Sequence, residues 1–432
     1  MHSLNSLHFR SPVFFFLKTE MQSLFIIFIF YFAYVNALKT MLQLTDIHYD
    51  INYQQNSWSS CLFGDTGLGC CRNNSIGIEP YTKASKWGDY NCDLSFLFIN
   101  STFQWIQNNI NADFDLIMVN GDIVDHHDLS QSMAQNMNEI YIVYDLLTTS
   151  FPTSLIIPVI GNHDTFPIDQ LESPFSQTWQ SLFLSEIWQD TPIQYDLSTF
   201  QKGGYYKIYI TKTKKIIILN SLYYDRNNLL IINQNDPSQQ FQWFQKELQK
   251  ELEENMTTWI VGHIPINSAE TNSLFFNFLF NMSVQYARNI QYQFYGHTHQ
   301  DYFYLFFNNY NVPIGLTFVS PSLLGDYRFP SFRIYLMDDD YNILNYYQYV
   351  CNLTETILTN QINYYIDYSA LETYNLIDIS PKSYYQLYEN LKNNDTLLQE
   401  YHQHYIPGFN QYYCNETCKQ NYLDEIVLNK FL

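Results

Sequence analysis

The histidines of this chain cluster in five short segments, and this clustering constrains the fold more than any other feature of the sequence. Seven of the eleven histidines lie in segments that also carry an Asp, an Asn or a turn-forming Gly. The segments are LTDIHYD (Leu44–Asp50), NGDIVDHHD (Asn120–Asp128), VIGNHD (Val159–Asp164), VGHIP (Val261–Pro265) and YGHTHQD (Tyr295–Asp301). Imidazole nitrogens and carboxylate or amide oxygens are common ligands of divalent metals. The pattern therefore predicts a metal site assembled from distant parts of the chain.

Each of these segments follows a predicted strand. Short apolar runs rich in β-branched and aromatic residues predict strands over Thr40–Thr45, Leu116–Asn120, Leu155–Ile160, Lys215–Asn220, Trp259–Val261, Tyr292–Tyr295 and Leu316–Ser320. Between them, helical periodicity predicts helices over Leu94–Ile110, Leu129–Leu147 and Pro237–Asn255. Asp236 precedes Pro237 as a capping residue of the third helix. Because loops beyond strand ends can converge on one crevice, we expect an α/β fold with the ligands gathered there.

The alternation of strands and helices continues to about Ser322. Beyond Asn345 the chain is rich in Tyr, Asn and Leu at helical spacing and carries no metal-type motif. We therefore predict a catalytic domain over residues 38–345 and a helical C-terminal subdomain over residues 346–432, closed by a disulfide. The aromatic insertion Ser273–Phe280 has helical spacing, which favours the core, with a membrane-facing patch as the alternative.

The N-terminus predicts a signal peptide over residues 1–37. An apolar run, Leu24–Val35, is followed by Val35-Asn36-Ala37, a pattern that suits signal peptidase. Met21 would begin a compact signal peptide by itself, so it is a second candidate start. The run is shorter than the ~20 residues of a membrane span, and a signal anchor is the alternative. We expect the protein to be extracellular or in a lysosome-like lumen. The formal net charge of −21 argues against a nucleic-acid partner.

The cysteines agree with an oxidising compartment. Six of the seven lie in two clusters, Cys61, Cys70, Cys71 and Cys92 after the first motif, and Cys414 and Cys418 near the end. They predict three disulfides, with Cys351 left over. Zinc binding by Cys70 and Cys71 is the competing interpretation, disfavoured because adjacent cysteines do not easily share one tetrahedral ion. Candidate glycosylation sites are Asn73, Asn100, Asn255, Asn281, Asn352, Asn394 and Asn415.

The five His-bearing motifs contain enough ligands for two metal ions. Asp46 and His48, like His297 and His299, are two residues apart and would face the same side of an extended chain. A carboxylate such as Asp122 can bridge two ions ~3.5–4 Å apart, which lower the pKa of a shared hydroxide and hold a phosphoryl group. A further cationic or acidic group must assist the leaving oxygen. The candidates for this role are His126, His127 and His163.

The order of the motifs D-x-H, G-D-x-x-D, G-N-H-D, G-H-x-P and G-H-x-H resembles the calcineurin-like metallophosphoesterase superfamily. LTDIHYDINY, the Cys70-Cys71 pair with KWGDYNC (residues 86–92), and GHTHQDYF resemble more specifically the acid sphingomyelinase-like phosphodiesterase family. The resemblance runs from about Leu42 to Cys418. It implies an α/β fold, a four-layer α-β-β-α sandwich with a helical C-terminal subdomain. Acid sphingomyelinase proper has a saposin domain ahead of this region, so the chain is more similar to the shorter members.

The resemblance also implies roles for individual residues. One zinc ion would be held by Asp46, His48, Asp122 and His299, and the other by Asp122, Asn162, His263 and His297. His163 and His126 would contact the phosphate and assist the leaving group, while His127 is interpreted as a polar loop neighbour without a role. The implied disulfides are Cys61–Cys70, Cys71–Cys92 and Cys414–Cys418. The identification of the metal as zinc rests on the resemblance, since a mixed set of His, Asp and Asn ligands also suits manganese or iron.

The function implied is hydrolysis of phosphodiesters by attack of a metal-bound hydroxide. The substrate would be a small molecule or a lipid, either a phosphocholine lipid such as sphingomyelin or a nucleotide-type diester. Peripheral contact with a membrane would accompany a lipid substrate. One alternative is a phosphomonoesterase of the purple-acid type, which places a Tyr where this chain has Asp125. Another is a catalytically silent binding protein, although all seven implied ligands are intact. The sequence does not indicate the oligomeric state.

Overall fold

The computed structural model describes residues 38–62, 69–111, 113–127, 131–174, 197–267, 269–408 and 412–428. The predicted signal peptide lies outside these described residues. No helix in the described part of the chain combines the length and the apolar character needed to cross a membrane.

Two mixed six-stranded sheets form the centre of the described structure. In spatial order, the first contains β12 (Tyr365–Ser369), β11 (Ile343–Val350), β10 (Ser331–Met337), β1 (Lys39–Leu44), β2 (Leu116–Val119) and β3 (Leu155–Pro158). The second contains β4 (Tyr206–Tyr209), β5 (Lys214–Ile218), β6 (Thr257–Val261), β7 (Ile290–Tyr295), β9 (Pro313–Val319) and β8 (Tyr302–Phe307). Strands β1, β2 and β3 pair in parallel, as do β5, β6, β7 and β9. Parallel pairing brings their carboxyl ends to one edge of each sheet.

The two sheets pack face to face through buried aromatic rings. The ring centroid of Phe294 on β7 lies 5.6 Å from that of Tyr335 on β10, and the centroid of Phe318 on β9 lies 5.6 Å from that of Tyr346 on β11. At one end of this interface, Asn120 Nδ2 donates a hydrogen bond of 2.9 Å to the carbonyl oxygen of Gly262. The strand ends of the two sheets are therefore held beside each other.

Helices cover both outer faces. They are α1 (Phe96–Asn109), α2 (Met133–Ser150), α3 (Leu197–Gly203), α4 (Gln240–Glu254), α5 (Ser273–Gln285), α6 (Leu353–Thr359), α7 (Ala370–Tyr374), α8 (Pro381–Asn393), α9 (Asp395–Tyr405) and α10 (Glu416–Ile426). Short 3-10 helices cover Ser221–Tyr223, Leu229–Ile231 and Pro237–Gln239. On the first sheet, Trp105 of α1 packs against Phe332; on the second, Phe280 of α5 packs against Phe306. The four-layer α-β-β-α arrangement is confirmed.

The predicted strands form near their expected positions, but the C-terminal part differs from the prediction. The boundary between residues 345 and 346 falls inside β11, and β12 also lies within the segment predicted to be helical. Polar residues such as Gln348 occupy buried positions of β11, so the strand lacks the simple apolar alternation that would have revealed it. The rest of the segment is helical, through α6 to α10.

Two local predictions can be compared directly with the structure. Asp236 accepts hydrogen bonds from the main-chain N–H of Phe241 (2.8 Å) and Gln242 (3.1 Å), so it caps α4 across the short 3-10 helix. In the aromatic insertion, α5 buries Phe275, Phe276, Leu279 and Phe280. Their burial favours the core interpretation of Ser273–Phe280.

The structure contains the disulfides Cys61–Cys70, Cys71–Cys92 and Cys414–Cys418, the pairing that the resemblance implies. No thiolate is left at Cys70 or Cys71, so the zinc interpretation of that pair is wrong. Cys351 is free and buried, with its Sγ 3.2 Å from Thr356 Oγ1. The seven glycosylation candidates all lie in the described residues, and their glycosylation stays a prediction.

Candidate metal centre

Five loops at the carboxyl ends of strands bring the seven predicted ligands together. The loops follow β1, β2, β3, β6 and β7, and they carry Asp46, His48, Asp122, Asn162, His263, His297 and His299. Ligand atoms of Asp46, His48 and Asp122 lie within 4.8 Å of one another, and so do ligand atoms of Asp122, His263 and His297. Asp122 belongs to both groups, which is the arrangement expected of a bridging carboxylate.

The remaining ligands join these two groups at short range. His299 Nε2 lies 3.2 Å from His48 Nε2 and 3.3 Å from Asp46 Oδ1. Asn162 Oδ1 lies 2.9 Å from His263 Nε2 and 3.0 Å from His297 Nδ1. The first group thus gains His299 and the second gains Asn162.

Hydrogen bonds on the far side of the ligands fix their orientation. His48 Nδ1 donates to the carbonyl oxygen of Val124 at 2.8 Å, and His263 Nδ1 donates to that of Asn120 at 2.6 Å. Because a carbonyl oxygen can only accept, the lone pair of each neutral ring is left on Nε2, facing the cluster. Asn162 Nδ2 donates to Asp169 Oδ1 at 2.9 Å, which turns the amide oxygen of Asn162 toward His263 and His297.

Five of the seven predicted ligands have left-handed backbone conformations. Their φ angles are 50° at Asp46, 46° at His48, 53° at Asp122, 69° at His297 and 57° at His299. Such conformations cost about 1–3 kcal/mol each for residues other than glycine, and they concentrate at functional sites. The surrounding fold holds the ligand loops in a geometry that these residues would not adopt by preference.

At two glycines of the motifs, a neighbouring loop lies so close that no side chain would fit. Close packing, rather than a tight turn, therefore requires glycine there. A Cβ atom at Gly161 would lie 2.1 Å from Asp122 Oδ1 and 2.2 Å from Asp122 N. A Cβ atom at Gly296 would lie 1.9 Å from Thr45 Oγ1 and 2.6 Å from Asp46 Oδ2. The glycines of G-N-H-D and G-H-T-H therefore let neighbouring ligand loops touch, which corrects the purely local role that the sequence suggested.

The electrostatics of the cluster suit divalent cations. Asp46 and Asp122 are buried. Burial alone would raise the pKa of each carboxyl group, but the imidazole of His299 beside Asp46 and that of His263 beside Asp122 outweigh burial and hold both pKa values below their usual range. Two buried carboxylates, one amide oxygen and four imidazoles make a donor set that fits two such ions.

His126 and His163 lie against the metal cluster. The ring of His126 stacks on that of His48 with 3.7 Å between centroids, and the ring of His163 lies 4.5 Å from that of His126. Burial opposes the charged form of His126, but the Asp93 carboxylate outweighs burial and raises the pKa of His126 to about 9. Burial lowers the pKa of His163 to about 3, and His163 Nδ1 has no hydrogen-bond partner among the described residues. The surroundings of the two rings therefore shift their pKa values in opposite directions.

His127 is not the polar loop neighbour that the sequence suggested. It is buried, and its main-chain N–H donates to Asp125 Oδ1 at 2.9 Å. Its Nδ1 lies 3.1 Å from Asp93 Oδ2, and its ring occupies the space that a side chain at Gly69 would need. His127 is part of the structure beneath His126.

Several residues around the cluster were missed by the sequence analysis. Asp93 Oδ1 lies 2.7 Å from His126 Nδ1, and Glu270 Oε2 lies 3.5 Å from His297 Nε2. Arg72 donates to both carboxylate oxygens of Asp50, at 2.8 Å each, and also to Asp125. One feature of the sequence could have indicated that Arg72 and Asp93 lie close together. Each directly follows a cysteine of the same disulfide, Cys71–Cys92.

Comparison with known proteins identifies two matching family models. The model described as calcineurin-like phosphoesterase matches residues 39–301, which is more than half of the chain. The model described as acid sphingomyelin phosphodiesterase C-terminal region matches residues 312–428. The two matches together span almost all of the chain beyond the predicted signal peptide.

Individual relatives give the same result. The chain is 30% identical to sphingomyelin phosphodiesterase A of Dictyostelium discoideum, over 90% of this chain and 66% of the relative. It is 29% identical to sphingomyelinase phosphodiesterase C of the same organism, over 92% of this chain and 94% of the relative. It is 26% identical to a cyclic GMP-AMP phosphodiesterase of Rattus norvegicus, over 89% of this chain and 88% of the relative. A solved dimetal phosphatase from Danio rerio aligns with a TM-score of 0.44 at 11% identity, over 72% of this chain and 95% of its own, too weak a likeness to carry an argument.

Proposed function

The chain belongs to the calcineurin-like phosphoesterase family, and from this premise we propose that it is a secreted or lysosomal di-zinc phosphodiesterase. The observation that carries the proposal is the position of Asp122 in both ligand groups. The substrate classes proposed are phosphocholine lipids such as sphingomyelin, and nucleotide-type diesters. Relatives named for each of these classes support both.

The seven clustered residues would hold the two ions. One ion would be bound by Asp46, His48 and His299. The other ion would be bound by Asn162, His263 and His297. Asp122 would bind both ions. When bound, two such ions lower the pKa of a water molecule and neutralise charge on a phosphoryl group. The rigid strand ends and the hydrogen bonds behind His48, His263 and Asn162 keep the donor atoms in place.

His126 and His163 would act on the substrate itself. His126 is bound by Asp93 through Nδ1, so it can offer a proton on Nε2 to the leaving oxygen. His163 lies beside His126 and Asp122, close enough to the cluster to contact the phosphate, and its main-chain N–H donates to Asp122 Oδ1 at 2.9 Å. A cavity of about 300 Å³ beside His126 has room for part of the substrate.

The structure gives no support to a purple-acid type of phosphomonoesterase. Asp125, at the position where that class has its metal-binding Tyr, accepts hydrogen bonds from Arg72 and from the main-chain N–H of His127. These contacts commit the side chain to the structure beneath His126.

Hydrolysis assays on purified protein test the proposal. At acidic pH we expect the protein to cleave a chromogenic phosphodiester much faster than the matching monoester. Activity should disappear on chelation and return with zinc. A protein that binds two metal ions and hydrolyses neither ester would be a silent binding protein, and the enzyme proposal would fall.

Three variants separate metal binding from catalysis. Asp122→Ala and His299→Ala should lower both the zinc content and the activity, because each removes a ligand. His163→Ala should lower activity at unchanged zinc content. Zinc is measured by elemental analysis of protein after gel filtration. Loss of zinc from His163→Ala equal to that from His299→Ala would contradict the division of roles.

The proposed compartment has its own test. Expression in a eukaryotic cell should release protein whose N-terminus follows Ala37 into the medium or a lysosomal fraction. The same N-terminus from chains begun at Met1 and at Met21 would show that both starts are functional. An intact N-terminus retained in membranes would instead favour the signal anchor.

A further inference from the structure

The orientation of His126 depends on one buried carboxylate. Asp93 Oδ2 accepts the main-chain N–H of His126 at 2.9 Å, while Asp93 Oδ1 lies 2.7 Å from His126 Nδ1. Asp93 is 5% exposed, and the stacked ring of His48 restricts His126 from the other side. With Nδ1 occupied by Asp93, Nε2 is the ring nitrogen left for a substrate.

Asp93 is itself held by the disulfide that precedes it and by His127, and Arg72 anchors the loop that carries His126. It follows Cys92, whose disulfide to Cys71 fixes the start of this segment. His127 Nδ1 lies 3.1 Å from Asp93 Oδ2. Arg72, which follows Cys71, donates to Asp125 in the same loop as His126. One disulfide thus places both the carboxylate that binds His126 and the cation that anchors its loop.

We propose that Asp93 is the positioning residue of His126 in phosphodiester cleavage, a role that rests on the proposed function above. Asp93 accepts a hydrogen bond from the Nδ1–H of His126, so that the other N–H of the charged ring, on Nε2, faces the substrate. As an oxygen derived from water bonds to phosphorus, the bond from phosphorus to the leaving oxygen breaks. The leaving oxygen keeps that electron pair and takes the Nε2 proton. The neutral ring remains bound to Asp93 and is reprotonated from solvent.

Asp50 provides a contrast that argues against a purely structural role for Asp93. Both carboxylates are buried, yet Asp50 accepts hydrogen bonds from the guanidinium of Arg72 through both of its oxygens. Asp93 instead contacts the two imidazoles that line the cavity, those of His126 and His127, and of these His126 stacks on His48 of the metal cluster. A bound carboxylate behind an imidazole fixes its tautomer and stabilises its charged form.

Leaving-group dependence is the sharpest test. Two diesters with the same phosphoryl portion are compared, one releasing nitrophenol and the other an alkyl alcohol, because only the poor leaving group needs a proton. We expect His126→Ala and Asp93→Asn to lower kcat about 10²-fold or more on the alkyl ester and less than about 5-fold on the nitrophenyl ester. KM and zinc content should change little.

The matched control is Asp89→Asn, the same chemical change four residues earlier. Asp89 Oδ1 accepts from Asn91 N and Asn91 Nδ2, contacts that an Asn oxygen can keep in part. We expect Asp89→Asn to behave like the unmodified protein on both esters. The double variant Asp93→Asn/His126→Ala should be no slower than His126→Ala alone, because residues that act as one unit are not additive.

The outcomes separate this inference from the function on which it rests. Equal losses on both esters for Asp93→Asn, beside a selective loss for His126→Ala, would overturn the positioning role and leave the acid role of His126 standing. Equal losses for His126→Ala would overturn both roles, whereas metal-dependent hydrolysis itself would remain. If Asp93→Asn does not fold, Asp93→Glu keeps the carboxylate at a changed distance and should show the same selectivity, with a smaller loss.

Discussion

The segments matched by the two family models, residues 39–301 and 312–428, contribute strands to the same two sheets but differ in what they supply to the site. The first carries all seven candidate ligands, five of them in left-handed conformations. The second carries no candidate ligand within its described residues. Its side chains nevertheless contact the loop that follows β7, which carries His297 and His299. Arg328 Nη1 donates to the carbonyl oxygen of His299 at 2.6 Å, and Arg333 Nη2 donates to Asp301 Oδ1 at 2.6 Å. The second segment therefore supports a candidate ligand loop without supplying a ligand among its described residues.

The largest effect expected in the first segment comes from Gly161→Ala. Its Cβ atom would overlap Asp122, so this candidate bridging carboxylate must move. We expect kcat/KM on a phosphodiester to fall by more than about 10²-fold and the zinc content to drop below two per chain. Gly315→Ala in β9 is the matched change in the second segment, where a Cβ atom meets only the Phe306 side chain, at 3.1 Å. Equal losses for the two variants would break the comparison.

Arg333→Met should act on stability more than on chemistry. Arg333 is fully buried, and it also donates to Gln348 Oε1 at 2.9 Å. Without the guanidinium, the buried Asp301 carboxylate loses its ion-pair partner, a change that costs about 3–5 kcal/mol of unfolding free energy. Urea titration measures the loss, with the exposed Arg288→Met as control. Activity per folded, zinc-loaded molecule should fall less than about 10-fold, and a larger fall would place chemistry in the second segment.

A smaller, pH-dependent effect is expected at Glu425 of α10. Burial raises the pKa of Glu425 to about 7, above its value of about 4.3 in an unfolded chain. The folded state then binds the proton more tightly, so Glu425 favours folding below about pH 4 and loses this contribution as pH rises through 7. Glu425→Gln should match the unmodified protein at pH 4–5 and exceed its stability at pH 8 by about 1–3 kcal/mol. Asp424→Asn, on the exposed side of α10, is the control and should show no such difference.

The smallest effect concerns one hydroxyl that links the two segments. Tyr405 Oη lies 2.9 Å from Gln300 Oε1 and 2.8 Å from Glu425 Oε2, and Gln300 stands between His299 and Asp301. Tyr405→Phe should cost about 1 kcal/mol of stability, the ordinary worth of such a bond, with less than a 3-fold change in activity. Tyr412→Phe, at an exposed position, is the control. A larger loss of activity would show that this hydroxyl positions the ligand loop.

The residues alone predicted an α/β fold with metal-type side chains at the strand ends, whereas the four layers and the set of seven ligands came from the family resemblance. Parallel strands with polar residues at their carboxyl ends leave few other arrangements, so Asp46, Asn162 and His263 could be expected to meet. Motif glycines were recognised as well, although the contact of Gly161 with Asp122 depends on two loops whose distance no local pattern specifies.

The supporting residues could not be predicted for a physical reason. Asp93 and Glu270 lie outside the metal motifs, and each acts on an imidazole more than twenty residues away. Strand β11 was missed because Gln348 and Asn345 are polar residues of a kind usually exposed. In the fold they are buried, and partners on neighbouring elements satisfy them, such as Arg333 on β10 for Gln348. Burial of polar groups becomes visible only when their partners are known.

The left-handed ligand positions have a consequence for how this chain can diverge. Glycine carries little penalty at such φ angles, so replacing Asp46 or His48 by Gly would relieve local strain while removing a ligand. A lineage released from metal binding would gain stability through such substitutions, since strained functional residues trade stability for activity. In such a lineage, the ligands with left-handed backbone conformations should therefore be the first to be replaced.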